Sequence, residues 1–343
     1  MSDLEYDAFK GTISIRLVKE ALLDAQKQQL DTAALLTQAG IAPDLLQSDK
    51  TRVSVSQFAQ LWIVLANTMN DEFFGMDSHP MRRGSYTFLS KSALQSANVQ
   101  KALTHILQFL NAVLDDFQSK AFAEENYAYI VIQDMQQPKR MFSYATYLML
   151  IHGLLCWLSG QRIVLNRIQL KCLPPEDDSD YKVRFCDDIQ YQADENYIQF
   201  DAAYLNIPIK QDQKAWHKFI RHTPYNLLVR FKNPNALSHQ IRKHLLQTST
   251  VHWAELGELA QQFNMSEATM QRRLKQEGLN FQQLKNDLKR DLAIDLLTQP
   301  ELTLQDISEQ LNFHDASAFH RAFKKWTGLN PGAYRQHHLF DQN

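Results

Sequence analysis

The chain is poor in residues that staple or ligate. Its 343 residues hold 3 cysteines, Cys156, Cys172 and Cys186. The count is odd and no Cys-x-x-Cys pair occurs, which argues against a disulfide framework or a zinc ribbon and favours buried free thiols over a redox switch. The 12 histidines form no His-Glu-x-x-His or His-x-Cys arrangement, so no metal site is expected. A nucleophile elbow and a glycine-rich phosphate loop are also missing, so neither catalysis nor a cofactor is expected. The opening MSDLEYDAFK is acidic and lacks an apolar leader core, and the expected compartment is the cytoplasm. Cationic excess is absent too: the net charge is −2, and acids and bases balance over 238–343. Charge alone points to no partner, so what matters is where the cations sit.

Hydrophobic residues make up 44% of the chain, enough for two cores at this length. One apolar run, MFSYATYLMLIHGLLCWL at 141–158, approaches the length of a membrane span. It carries Ser143, Thr146, His152 and Gly153 without positive-inside flanks, so the spacing predicts a buried core helix and no membrane partner.

Helical periodicity covers 13–29 and 32–39, the latter capped by Asp31 and ended by Gly40, and a longer helix follows a cap at Ser54 or Ser56. The first seventy residues are expected to be helical. Strand-like runs then appear at 85–90, 117–123 and 127–133, with a turn at Glu125-Asn126, and again at 163–173, 182–185, 189–191 and 197–200. Helices are expected at 99–114, 142–158, 211–221 and 225–231. Mixed helices and hairpins predict an α+β domain over 1–232. Asn-Pro within 233–237 marks a linker, and Ser238 is expected to cap the first helix of an all-α domain over 238–343.

That second domain contains a repeat. Leu259, Ala260, Phe263, Asn264 and Met265 match Ile307, Ser308, Leu311, Asn312 and Phe313 at an offset of 48. Met270, Arg272, Leu274 and Lys275 match Phe319, Arg321, Phe323 and Lys324 at 49, so the second copy has one extra turn residue. Each copy predicts a helix-turn-helix, and the helix 280–298, ended by Pro300, joins them. In the second helix of each copy the apolar pair turns inward. Ala268, Gln271, Arg272 and Lys275 remain outside in the first copy, and Ser317, His320, Arg321, Lys324 and Lys325 in the second. Arg and Gln can bond guanine and adenine in bidentate fashion, so both faces suit a DNA major groove. Gln271 and Arg272 are the first choice for base reading, while Arg321, Lys324 and Lys325 suit phosphate. About twenty helical residues span about 30 Å, near the roughly 34 Å of a DNA turn, so the two helices are expected in successive grooves.

The residues Ile307-Ser308, Leu311-Asn312-Phe313, Phe319-His320-Arg321-Ala322-Phe323-Lys324 and Gly328-Leu329-Asn330-Pro331-Gly332-Ala333-Tyr334-Arg335 resemble the signature of the AraC/XylS family of bacterial transcription regulators. Ser308 stands for a usual Ala, Asn312 for a usual turn Gly, and Lys289 for a usual Arg. Asn is the non-Gly residue that best accepts positive φ. Leu35, Ala39-Gly40-Ile41, Pro80 to Ser85, Ile151 to Leu158 and Ala202 to Pro208 resemble the non-cupin N-terminal domain labelled "arabinose-binding" in one AraC-type subgroup. The label implies no sugar.

The resemblance implies a transcription regulator with an N-terminal sensing and dimerisation domain, a small-molecule effector, RNA polymerase as a partner, and a homodimer on double-stranded DNA. Candidate effector contacts are Arg82, Arg83, His152 and Trp157, polar or aromatic groups near apolar walls; surface ion pairs and plain core packing are the competing roles. Two other readings compete with DNA regulation: a protein-interaction module, and an enzyme with a catalytic N-terminal domain.

Overall fold

The computed structural model describes residues 12–49, 51–228, 237–276, 279–297 and 299–339. In chain order, β1 (Thr12–Ser14) runs into α1 (Ile15–Lys27), and α2 (Thr32–Gln38) follows. Then come β2 (Arg52–Ser54), α3 (Val55–Met69), α4 (Ser85–Ala93), α5 (Val99–Val113), β3 (Phe117–Glu124), β4 (Tyr127–Asp134) and α6 (Met141–Ser159). Next are β5 (Leu165–Gln169), α7 (Ser179–Arg184), β6 (Ile189–Gln190), β7 (Asn196–Asp201), α8 (Gln213–Arg221) and α9 (Tyr225–Leu228). The C-terminal part is helical: α10 (Leu237–Leu246), α11 (Leu256–Gln262), α12 (Glu267–Gln276), α13 (Phe281–Leu297), α14 (Leu304–Gln310), α15 (Ala316–Thr327) and α16 (Pro331–Leu339). This is an α+β part followed by an all-α part.

The described residues fall into two compact units. One holds those up to Lys19, Leu36 to Phe58, and those from Leu237 onward; the other holds Glu20 to Leu35 and Ala59 to Leu228. Leu237, placed at the end of the linker by sequence, is helical and buried, and residues 233–236 lie outside the described set. Ser238 is therefore inside the first turn of α10 and not its cap.

The second unit is built on a five-stranded sheet in the order β3-β4-β7-β5-β6, antiparallel except for β5 beside β6. Its buried face carries Ala128, Ile130, Ile132, Ile168 and Ile198, and every residue of α6 is buried. Tyr147 of α6 donates its hydroxyl to Ser119 of β3 at 2.8 Å, and Tyr144 donates to Asp134 at 2.6 Å. The apolar run at 141–158 thus packs inside the protein; among the described residues it is the one helix with the length and composition of a membrane span, and that span is 100% buried.

Three sequence expectations fail here. Residues 85–90 form α4 and not a strand: the buried Glu72 carboxylate accepts the N–H groups of Gly84 and Tyr86 at 2.8 and 2.7 Å. That cap supplies partners for orphan helix donors, and Tyr86, Leu89, Ser90 and Ala93 bury one helical face. Residues 182–185 belong to or end α7, where a Lys182–Asp178 pair at 2.9 Å supports the turn. Helix in the first seventy residues is interrupted by the short antiparallel pair β1 and β2, in which Ile13 faces Val53. Three-residue strands leave no period to detect. Of the two caps offered for α3, Ser54 serves, in a reciprocal box with Gln57 at 3.1 and 2.9 Å.

The repeat in the helical part is copied bond for bond. Met265 N–H donates to Ala260 O at 2.9 Å, and Phe313 N–H to Ser308 O at 3.0 Å. Asn264 and Asn312 both adopt φ 53°, so each helix ends on an asparagine in the left-handed region. Ser266 and Asp315 then cap α12 and α15 through Thr269 N–H and Ala318 N–H. Two apolar clusters result. α10, α11 and α12 share the first with Phe281, Leu284 and Leu288 of α13; α14, α15 and α16 share the second with Ala293, Ile294 and Leu297. The signature residues mostly build this second core. Gly328 closes α15 at φ 79°, Pro331 starts α16, Tyr334 packs edge-on to Phe323, and Arg335 donates to the Leu302 carbonyl at 2.6 Å.

Ser308 is 1% exposed and its hydroxyl has no hydrogen-bond partner among the described residues. Ser308→Ala is expected to raise stability by about 1 kcal/mol by removing that desolvated group; an unchanged or lower denaturation midpoint would show that the hydroxyl is satisfied.

Candidate nucleic-acid interface

Two helices carry the outward cations, and their orientation follows from what they bury. In α12 Met270 and Leu274 are fully buried; in α15 Phe319 and Phe323 are. Positions one and two after the first apolar residue, and one after the second, are then turned away from the core. Accordingly Ala268, Gln271, Arg272 and Lys275 are exposed on α12, as are Ser317, Arg321, Lys324 and Lys325 on α15, with His320 half-buried beside the Phe319 ring. Subtracting 49 from Ser317, His320, Arg321 and Lys324 returns Ala268, Gln271, Arg272 and Lys275, while Lys325 has Gln276 as its counterpart, so four positions of the face are repeated and the second copy adds one cation. Among the described residues no carboxylate lies within ion-pair distance of Arg272, Lys275, Arg321, Lys324 or Lys325. Their charge is available to phosphate. Arg273, exposed on α12, adds a cation that the groove-side spacing passes over because it flanks Leu274.

The connecting helix sets how these faces are held. α13 has 17 residues, about 26 Å at the usual rise; Asn280 is its cap, accepting from Gln283 N–H at 2.7 Å, and residue 298 lies outside the described set. Lys289, at the position where an arginine is usual, points its ammonium at the Asn312 carbonyl at 3.4 Å and over the Phe313 ring at 4.9 Å. It thus ties α13 to the second turn. Burial, with Lys285 nearby, holds its pKa below the usual lysine range.

Asp291, 8% exposed on the same helix, is the electrostatic outlier. Burial pushes its carboxyl up to about 7, against the pull of the Arg290 guanidinium 3.2 Å away.

The candidate effector residues do not come together. Arg83, exposed, lines a cleft of about 320 Å³ with Trp62, Glu72, Tyr86, Leu150 and Leu227, its guanidinium 3.8 Å from Glu72. Arg82 is exposed and is not part of that lining. His152 is buried in the core, its Nε2 donating to the Ile163 carbonyl at 2.7 Å, and burial with Arg184 nearby lowers its pKa to about 3. It stays neutral. Trp157 stacks on Phe219 with centroids 4.3 Å apart, also away from the cleft. Sequence reasoning missed Glu72, Trp62 and Tyr86 because the cleft assembles from α3, α4, α6, α8 and the stretch around α9, and no local period marks such an assembly. The three cysteines are free; burial raises Cys156 to about 11 and Cys172 and Cys186 to about 12.

Against known proteins, residues 30–209 match the family model described as the arabinose-binding domain of AraC transcription regulator, N-terminal, and residues 259–337 match a helix-turn-helix domain. The ornithine utilization regulator of Pseudomonas aeruginosa is 25% identical over 92% of this chain and 94% of its own length. The transcriptional regulator VirS of Mycobacterium tuberculosis is 38% identical over 77 residues, 22% of this chain and 23% of that one. Among solved structures, the regulator CdpR of P. aeruginosa aligns with 98% of this chain and 99% of its own at 19% identity, with a TM-score of 0.30, too low to bear on the geometry above. A domain of the first kind joined to helices of the second defines a DNA-binding transcription regulator. The chain belongs to the AraC family of such regulators.

The Asp291 proton gives the helical part a pH dependence of definite sign. The folded chain keeps it up to about pH 7, whereas the unfolded chain releases it near the ordinary value of about 3.9. Stability from this group is therefore full below that lower value and lost as the pH rises through about 7. Thermal unfolding of Asp291→Asn against the natural chain is expected to show a difference that moves in the variant's favour between about pH 5 and about pH 8; parallel curves would count against the assignment.

Proposed function

We propose that this protein is a cytoplasmic, sequence-specific transcription regulator that places α12 and α15 in two successive major grooves of double-stranded DNA. The observation that carries this reading is the duplicated cation face: the same offsets, turn bonds and caps recur in both helix pairs. α13 belongs to both clusters and limits how far one face can move against the other. Arg272 with Gln271 reads base edges, while Arg321, Lys324 and Lys325 bind mainly phosphate. The division into a sensing and dimerisation part up to 232, a linker at 233–236 and a DNA-binding part that starts with α10 at Leu237 belongs to the same proposal. So do a homodimer and contact with RNA polymerase.

A small molecule in the cleft beside Arg83 and Glu72 controls the DNA-binding part. The cleft has one guanidinium, one buried carboxylate and apolar walls, the mix that orients a small polar ligand. Control requires that the ligand bind the DNA-competent state with a different affinity. Ornithine is the first compound to try, given the name of the P. aeruginosa relative.

Footprinting on the promoter region is expected to show two protected segments about one helical turn apart. Arg272→Ala should cost about 1–3 kcal/mol of specific affinity and relax one base preference, and Arg321→Ala about the same or less without relaxing it. Lys324→Ala should weaken all sequences alike and lower the salt slope by about 1. Binding indifferent to all three changes, in shift assays at controlled salt, would sink the docking scheme.

For the cleft, ornithine and other amino acids titrated by calorimetry are expected to bind the natural chain and to bind Arg83→Ala about tenfold more weakly or not at all. Operator affinity that never responds to any of them would refute ligand control.

A further inference from the structure

Strand β3 ends its sheet, and among the described residues side-chain hydrogen bonds cover its outer edge at one place. The two-residue turn Glu125-Asn126, with Glu125 at φ 52°, makes Glu124 and Tyr127 the closing pair of the hairpin. In such a pair the closing residues bond each other, so Glu124, Phe122 and Lys120 turn their backbone groups to β4, and Ser119, Ala121 and Ala123 turn theirs outward. Asn111 of α5 fits this alternation. Its side-chain amide donates to the Ser119 carbonyl at 2.8 Å, and its side-chain oxygen accepts the Ser119 N–H at 2.8 Å. Ala121 and Ala123 have no such cover among the described residues, and every residue from Lys120 to Glu124 is exposed.

Phe122 is 45% exposed at the centre of this stretch, its ring stacked on Tyr129 at 5.2 Å, with Tyr197 edge-on to Tyr129. Lys120 and Glu124 flank it on the same face of the strand, and neither has an ion-pair partner among the described residues. An open edge of this kind pairs with another strand unless something blocks it. A lone Lys120 would block it; a Glu124 four residues away makes the strand complementary to itself.

We propose that β3 pairs with β3 of a second copy of this chain, antiparallel, about a two-fold axis at Phe122. Ala121 then exchanges backbone hydrogen bonds with the partner's Ala123, and Ala123 with the partner's Ala121. Phe122 packs on its own copy in a non-hydrogen-bonded pair, where side chains approach most closely. Lys120 meets the partner's Glu124, and the reverse contact repeats it. The register is fixed from both ends. Moving the axis one residue back sets Ala123 against Ser119, which Asn111 has already filled; moving it one residue forward runs Ala121 onto the partner's turn. An isologous contact of this sort closes at two chains and joins the two sheets into one. The inference rests on the homodimer reading and adds the surface that makes it.

Sedimentation equilibrium on the full chain tests it. The natural chain is expected to be a dimer at low micromolar concentration. Lys120→Glu sets acid against acid twice and should weaken dimerisation about tenfold. The double swap of Lys120→Glu with Glu124→Lys should restore it to within about threefold, a rescue that a purely structural role would not give. Phe122→Cys should form an interchain disulfide with copper–phenanthroline as oxidant, whereas Leu173→Cys, 72% exposed elsewhere on the surface, should not. A natural dimer that is unmoved by Lys120→Glu and fails to cross-link through Phe122→Cys would overturn the edge pairing while leaving the homodimer intact. A chain that is monomeric at concentrations saturating DNA would overturn both.

Discussion

The DNA-binding part depends on one helix being buried twice. α13 gives its first half, through Phe281, Leu284 and Leu288, to one apolar cluster and its second half, through Ala293, Ile294 and Leu297, to another. Neither helix pair could hide its apolar stripe alone, since a short helix has one stripe and must lay it against something. Because α13 serves both, a rotation of either pair would strip contacts from a rigid element they share. Spacing between the two cation faces is therefore a packing property, not a property of a flexible linker. Lys289 reinforces it from the polar side by reaching the Asn312 carbonyl at the second turn.

The same logic explains where the chain tolerates polar groups inside. Glu72 is buried because two backbone donors at the start of α4 need an acceptor, and one carboxylate serves both. Asp291 is buried with Arg290 as its near partner, and desolvation outweighs that partner, so its proton is retained near neutrality. His152 is kept neutral by burial and by the nearby Arg184, against the pull of its bond to the Ile163 carbonyl. Each is a local solution to a backbone or packing demand. The Arg83 side of the cleft differs: it is open, its guanidinium is only loosely placed against Glu72, and it faces apolar walls.

One-sided burial of the sheet accounts for the rest. Every residue of α6 is buried, and its Tyr147 and Tyr144 bond Ser119 and Asp134 of the sheet, so an apolar helix of near-spanning length sits in the interior. On the other face Lys120, Phe122 and Glu124 of β3 are exposed while Tyr129, Val131, Tyr197 and Gln199 are half-buried, and Phe122, Tyr129 and Tyr197 form an aromatic row.

The sequence by itself determined the elements whose cause is local. The repeat at 48 and 49, the turn asparagine Asn312 and the outward set around Arg272 and Arg321 all follow from 3.6-residue periodicity and neighbouring side chains, and the sequence alone carries them. Family membership was legible on the same residues, of which Gly328, Tyr334 and Arg335 close and pack the second cluster. Tertiary structure decided what distance in sequence conceals. Residues 85–90 became helix because Glu72, more than ten positions away, caps them, and local propensity could not register that bond. The cleft gathered Arg83 and left His152 and Trp157 in the core, since which side of a fully buried helix faces a cavity is set by its neighbours and not by its composition. The open edge of β3 exists only because strand order puts β3 last and Asn111 stops at Ser119.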